Sequence, residues 1–191
     1  MQPSAVPGYR LWPVSGWIFG RINHRWPLGS DPRGEEGGLS EVMKTRRVVT
    51  GLNKDGKSAV KWDSELEGKP GRERFEKVEL WATETLPARL TEDDPTAWKD
   101  VGTSLANGSV FRFCRYEPGV AERWHRTDSI DYGIVISGEM WMQLDEGEVH
   151  LKAGDVVIQR GTIHNWVNRG IEPCVMAFIL IATEGGASTG W

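Results

Sequence analysis

Two β-rich stretches bracketed by glycine constrain this chain more than any other feature. Residues 119–138 read GVAERWHRTDSIDYGIVISG, and residues 154–168 read GDVVIQRGTIHNWVN. Each carries a histidine near a strand end. The intervening EMWMQLDEGEVHLKA reads as a hairpin: 139–145 alternates, Glu146-Gly147-Glu148 turns, and 149–152 returns. Folding back in this way brings His125 and His164 towards one another and predicts a concave site.

The rest of the chain agrees with an all-β reading. A strand is expected at 46–52 (RRVVTGL), a turn at Asn53-Lys54-Asp55-Gly56, and a returning strand at 58–62. Residues 63–77 are charged and carry Gly68, Pro70 and Gly71, which predicts a surface loop. Strands follow at 78–83 (VELWAT) and 109–116 (SVFRFCRY). Between them Asp94-Pro95 predicts one capped helical turn carrying Trp98, in a segment placed as a surface loop or a lid at a pocket mouth. Residues 174–182 (CVMAFILIA) are apolar on both faces, so this strand is covered on both sides. Residues 183–191 read as a frayed end. No helical period of useful length occurs, and many short strands punctuated by glycine and proline predict a sandwich or barrel of antiparallel strands.

Residues 1–40 differ from the rest. Pro3, Pro7, Pro13 and Pro27 forbid a long helix, yet Trp12, Trp17 and Trp26 are too apolar for a solvated tail. An irregular N-terminal arm, packed on the barrel or on a partner subunit, is expected there, with one domain over 41–191. An arm serving assembly alone would make the barrel a dimer module. The same prolines spoil an amphipathic targeting helix, and no secretory hydrophobic region is present, so a cytoplasmic protein is expected. A formal net charge of −4 and the lack of a helix-turn-helix pattern argue against nucleic acid as a partner, and no apolar run is long enough to span a membrane. Cys114 and Cys174 lack metal-ligand or redox spacing and read as buried free thiols.

Parity assigns the site. His125 and Thr127 share one strand face and Arg126 the other. Asp131 shares a face with Gly133, Val135 and Ser137. His164, Trp166 and Asn168 share a face, and Gln159 goes with Val157. His125, Asp131 and His164 then converge as two imidazoles and a carboxylate. That set would hold Fe(II), Mn(II), Ni(II) or Zn(II) with positions open for substrate, water or dioxygen. In a metal-free pocket the two histidines would act as general acid and base, with Asp131 orienting one ring. No organic cofactor is expected. Thr127, Gln159, Trp166, Met142 and Arg112 are the candidate substrate contacts. Trp141 or Met142 should line the cavity. Trp166 is either a pocket wall or a core aromatic. Arg112 is either an inward anchor for a carboxylate or phenolate or, as arginines on strands usually are, exposed. Trp124 should face the core or an interface, Asp128 should cap its own loop, and His150 and His24 should be exposed.

The first stretch resembles the first cupin motif, G-x5-H-x-H-x3-E-x6-G, with Gly119, His125 and Gly138 in register. Thr127 stands where the second histidine belongs and Asp131 where the glutamate belongs. The second stretch resembles the second cupin motif, G-x5-P-x-G-x2-H-x3-N, through Gly154, Gly161, His164 and Asn168, and is one residue shorter between Gly154 and Gly161. More narrowly, the two stretches, with LDEGE and the upstream RRVVTG and DGKS, look like small single-barrel cupins found with fungal and bacterial secondary-metabolite or aromatic-compound pathways. The resemblance implies a jelly-roll barrel of two packed antiparallel sheets and a homodimer. The leading expectation is an enzyme acting on an aromatic or polyketide-like small molecule by metal-assisted decarboxylation, oxygenation, or dehydration and cyclisation. The alternative is a metal-free, non-catalytic ligand-binding cupin.

Overall fold

Alternating burial marks several of the strands, most plainly residues 75–83, 109–116 and 129–137. The computed structural model describes residues 41–97 and 101–185. The expected arm at 1–40 with His24, the expected helical residue Trp98, and most of the expected C-terminal fraying lie outside the described residues. Eleven strands run in order: β1 Lys44–Leu52, β2 Ser58–Glu67, β3 Lys69–Pro70, β4 Phe75–Thr83, β5 Ser109–Tyr116, β6 Ser129–Ser137, β7 Glu139–Leu144, β8 Glu148–Lys152, β9 Val156–Arg160, β10 His164–Val167 and β11 Cys174–Ala182. The sole helical element among the described residues is a three-residue 3₁₀ turn, Pro95–Ala97, which Asp94 caps through the Thr96 N–H at 3.0 Å. No helix among them is long and apolar enough to cross a membrane.

Two sheets face one another in a jelly roll. A six-stranded sheet has the order β3-β4-β5-β11-β6-β9, and a three-stranded sheet has the order β10-β7-β8. Every pairing is antiparallel. The inward positions of β5, β6 and β11 meet Met140, Met142, Leu151 and Trp166 of the smaller sheet in the main core. Burying these side chains is the chief stabilising term, since each contributes about 1.5–3 kcal/mol when fully removed from water.

The β1–β2 hairpin forms a separate two-stranded sheet. It contributes Leu66, with Met43 just ahead of β1, to a second apolar cluster with Val78, Leu80, Phe111, Phe113 and Val175. β11 is thereby covered on both faces at Val175, as its doubly apolar sequence requires. Arg47 is buried there and donates to the Leu80 carbonyl at 3.2 Å and to both carboxylate oxygens of Asp94.

The surface loop expected at 63–77 is corrected. β2 continues to Glu67, β3 follows, and β4 begins at Phe75. Asp63, Glu65, Glu67, Lys69, Glu76 and Lys77 sit at strand positions, and Arg72, Glu73 and Arg74 occupy the short turn between β3 and β4. Arg46 pairs with Asp63 across the hairpin at 2.7 Å, and Lys44 reaches Glu65 and Glu67. Only residues 71–74 turn, with Arg74 in the left-handed region at φ 59°. The glycine that ends β6 is required by geometry. Gly138 has φ 74°, and a Cβ there would stand 2.6 Å from the Pro173 carbonyl oxygen.

Candidate active site

His164 opens β10 and His125 lies on the loop ahead of β6. Their main chains bond reciprocally: each N–H donates to the other's carbonyl at 3.0 Å. The loop is fastened again at Arg123, whose N–H donates to Asn165 Oδ1 at 2.8 Å; Asn165 in turn donates to Gln143. This backbone frame sets the two imidazole centroids 4.3 Å apart at 49°. His125 donates from Nδ1 to the Arg123 carbonyl at 2.9 Å, which leaves Nε2 as its basic nitrogen. His164 Nδ1 lies 3.0 Å from both the Thr162 carbonyl and Gln159 Nε2. Gln159 is oriented by the Gly161 N–H, which donates to its Oε1 at 2.7 Å. Burial pushes both imidazoles below their usual range, His164 down to about 4, helped by the neighbouring ring of His125. Both rings are therefore neutral near pH 7.

Asp131 sits on β6 with an exposure of only 4%. Burial raises its carboxyl to about 6, although Ser129, Thr127 and the Arg112 charge all favour the ionised form. Thr127 Oγ1 donates to Asp131 Oδ2 at 3.0 Å, and Ser129 Oγ donates to Oδ1. Asp131 was expected to orient an imidazole in a metal-free pocket. Its bonds go to these two hydroxyls instead, and the rings are oriented by Arg123, Thr162 and Gln159 through the contacts above.

These groups open onto a cavity of about 470 Å³. His125, Thr127, Asp131, His164, Trp166 and Arg112 all line it. Trp166 is both wall and core: it is 4% exposed and packs edge-on against His164 and Phe178. Arg112 is buried, not exposed, because it shares the inward face of β5 with Cys114 and Tyr116. It donates to the Gly102 carbonyl at 2.6 Å, and its Nε stands 3.0 Å from Glu79 Oε2, near enough for an ion pair though out of line for a hydrogen bond. Met142 is corrected to a core side chain that does not line the cavity, since β7 turns it against the packed interior. Gln159 likewise stands behind His164 rather than on the wall.

Other placements differ from parity alone. Trp124 is 41% exposed. Asp128 accepts from the Ser104 hydroxyl and so ties its loop to a second one, instead of capping its own turn. His150 is exposed, as expected, but partnered: it stacks on Trp141 at 4.0 Å and bonds Glu139 at 2.8 Å. Both cysteines are buried free thiols raised by burial, Cys114 to about 11 and Cys174 to about 12.

Sequence reasoning missed the cationic part of the wall. Arg72, Lys77 and Arg123 line the cavity beside Arg112, against Asp131 as its lining carboxylate. Arg123 was legible as the position two before His125. Arg72 and Lys77 were hidden by the loop assignment, which removed any parity to follow.

The same geometry tests the expected metal set. Both histidines have Nδ1 occupied by main-chain carbonyl contacts, an arrangement that suits imidazole ligands. The third donor does not fit, because Asp131 is engaged by two hydroxyls. Among the described residues no group of three or more His, Cys, Asp or Glu side chains gathers closely enough to hold a metal ion. As arranged here, His125, Asp131 and His164 are not a three-ligand metal centre.

Comparison with known proteins gives the family. The profile of the cupin domain matches residues 112–181. The cupin-domain-containing oxidoreductase fogC of Aspergillus ruber is 34% identical over 155 residues, which cover 75% of this chain and 74% of that protein. The phomopsin biosynthesis cluster protein C' of Diaporthe leptostromiformis is 45% identical over 106 residues, or 52% of this chain. The match takes in 55% of that relative, so the chain spans about half its length. A solved protein with a double-stranded β-helix domain from Klebsiella pneumoniae overlaps 64% of this chain and 88% of its own, at 23% identity and a TM-score of 0.45. With a cupin-domain relative matched across about three quarters of both sequences, this chain belongs to the cupin family.

Proposed function

We propose that this cupin is an enzyme acting on an aromatic or polyketide-like organic acid or enol held inside the barrel. One observation carries the reading: two neutral imidazoles, His164 buried and His125 half-buried, stand 4.3 Å apart and face a cavity of about 470 Å³ that also receives a carboxyl of raised pKa. Relatives named as oxidoreductases and as members of biosynthesis clusters support a small-molecule substrate.

In this reading His125 Nε2 removes a proton from the carbon or hydroxyl next to a substrate carbonyl. In the tautomer whose Nδ1 accepts from Gln159 rather than donating to the Thr162 carbonyl, His164 presents Nε2–H to the oxygen on which charge gathers. Asp131, with a pKa of about 6, returns a proton. Dehydration, cyclisation and decarboxylation all use such steps; the oxidation that the relatives' names suggest would need an external electron acceptor such as dioxygen in addition.

The test is consumption of a panel of aromatic and polyketide acids, followed by mass spectrometry, for the wild type, His125→Ala and His164→Ala. Each variant should lose about a hundredfold in turnover while keeping its fold. Full turnover in both would refute the assignment. A non-catalytic binding cupin is the second reading, favoured by the Thr127–Asp131 hydrogen bond, which joins the two departures from the cupin motif to each other. Elemental analysis belongs beside both. A stoichiometric Fe, Mn, Ni or Zn that leaves on His164→Ala would replace the acid–base roles. A small molecule that co-purifies without turnover would favour the binder.

A further inference from the structure

The positive charge around the cavity is not evenly matched. Lys77 and Arg112 share Glu79, at 2.8 and 3.0 Å. Arg72 has no carboxylate partner among the described residues. Its Nε is buried with no hydrogen-bond partner, and its Nη2 makes only a long 3.5 Å contact to the Ala121 carbonyl. Its guanidinium lies over the Phe75 ring at 4.7 Å, and Phe75 pairs with Tyr116 at 5.0 Å, so an apolar aromatic wall adjoins the charge. Arg123 and His125 line the same cavity, and the Arg72 contact to the Ala121 carbonyl sets its guanidinium against the loop that carries them both.

The turn that presents Arg72 is fixed in place. Gly71 N–H donates to the Phe75 carbonyl and Phe75 N–H donates to the Arg72 carbonyl, both at 3.1 Å. Arg74 fastens the turn to the loop leading to His125: its carbonyl accepts from Glu117 N–H at 3.0 Å, and its Nη1 donates to the Pro118 carbonyl at 2.8 Å. A half-buried guanidinium carried on an anchored turn beside another cation is unfavourable until an anion arrives. Its planar fork suits the two oxygens of a carboxylate, and the anchored backbone lowers the entropic cost of binding one.

We infer that Arg72, with Arg123 beside it, forms a carboxylate-binding subsite at the His125 end of the cavity, and that the substrate is a carboxylate borne on a flat aromatic or conjugated body seated against Phe75 and Tyr116. This deepens the proposed enzymatic reading and rests on it for the word substrate. The subsite itself is a binding claim and is tested without turnover.

Isothermal titration calorimetry with benzoate and its neutral isostere benzamide supplies the test, for the wild type, Arg72→Gln and Arg72→Lys. Benzoate should bind the wild type at least about tenfold more tightly than benzamide, with the preference weakening as salt rises. Arg72→Gln should cost benzoate about ten- to a hundredfold and leave benzamide nearly unchanged. Arg72→Lys should fall between, keeping the charge but not the fork. Equal affinity for the two probes, no benzoate binding at about 10 mM, or benzoate binding indifferent to both substitutions would overturn the inference. The wild-type comparison needs no variant, so a misfolded Arg72→Gln does not shield the claim. Failure of the histidine variants to lose turnover would count against the enzymatic reading alone, and loss of benzoate selectivity against the subsite alone.

Discussion

Replacing Asp131 by Asn should make this protein more stable at neutral pH, and the gain should appear only over a defined pH window. The carboxyl is raised from its ordinary 3.8 to about 6 because its charged form is buried. A raised carboxyl contributes stability that is full below 3.8 and is lost as pH rises through about 6. The difference corresponds to about 3 kcal/mol as an upper figure. Asn removes this ionisation and keeps the shape, and the hydroxyls of Thr127 and Ser129 can turn to serve an amide. His164 works in the opposite sense over the same range. Its pKa is lowered to about 4, so its contribution is full above 6.5 and is lost as pH falls through about 4. The two effects partly cancel in the wild type, whose stability profile alone is therefore uninformative. The useful quantity is the difference between Asp131→Asn and the wild type, measured by urea unfolding followed by tryptophan fluorescence from about pH 4 to about pH 8. With a slope of about 2 kcal/mol per molar urea, the midpoint advantage of the variant should grow by up to about 1.5 M across the window. A difference that stays constant over that range would refute the claim that the buried charge of Asp131 strains the native state.

Two further outcomes follow from packing. Trp166→Ala should cost about 3–5 kcal/mol, because the indole is 4% exposed and wedged between His164 and Phe178; a loss below about 1 kcal/mol in thermal unfolding would show that the site does not depend on it. Arg47→Ala should cost about 2 kcal/mol, since it strands an Asp94 that is 28% exposed. The same variant should let the Asp94 carboxyl, held at about 2 chiefly by its hydrogen bond to Arg47, return towards 3.8 in an NMR titration.

What could be read from sequence was whatever a period or a motif spacing encodes. Alternation in SVFRFCRY placed Arg112 and Cys114 on one face. The motif spacing brought His125, Thr127, Asp131 and His164 to one cavity. The period carries no sign, however, so an inward Arg112 and an exposed one looked alike until Glu79 and Gly102 were seen opposite it. The charged run at 63–77 masked two strands, because polar residues that pair across a hairpin look the same as those in a solvated loop. Arg72 was lost with them: a turn residue has no parity, and its place on the cavity wall depends on how Arg74 anchors the turn to residues 117 and 118. The spacing of Thr127 and Ser129 around Asp131 was visible as letters, but that both hydroxyls take the carboxylate depends on how the loop enters β6.

The reciprocal amide link between His125 and His164 has a consequence for how such a site can change. Because the link uses only main-chain atoms, it is indifferent to the identity of the neighbouring side chains. Glu122 and Trp124 are exposed on the tethered segment, so substitutions there can change its outer surface while the imidazole pair keeps its spacing. An insertion or deletion between Arg123 and His125 would instead break the register of both tethers at once. New chemistry in this barrel is therefore open to point replacement on that segment and closed to changes in its length.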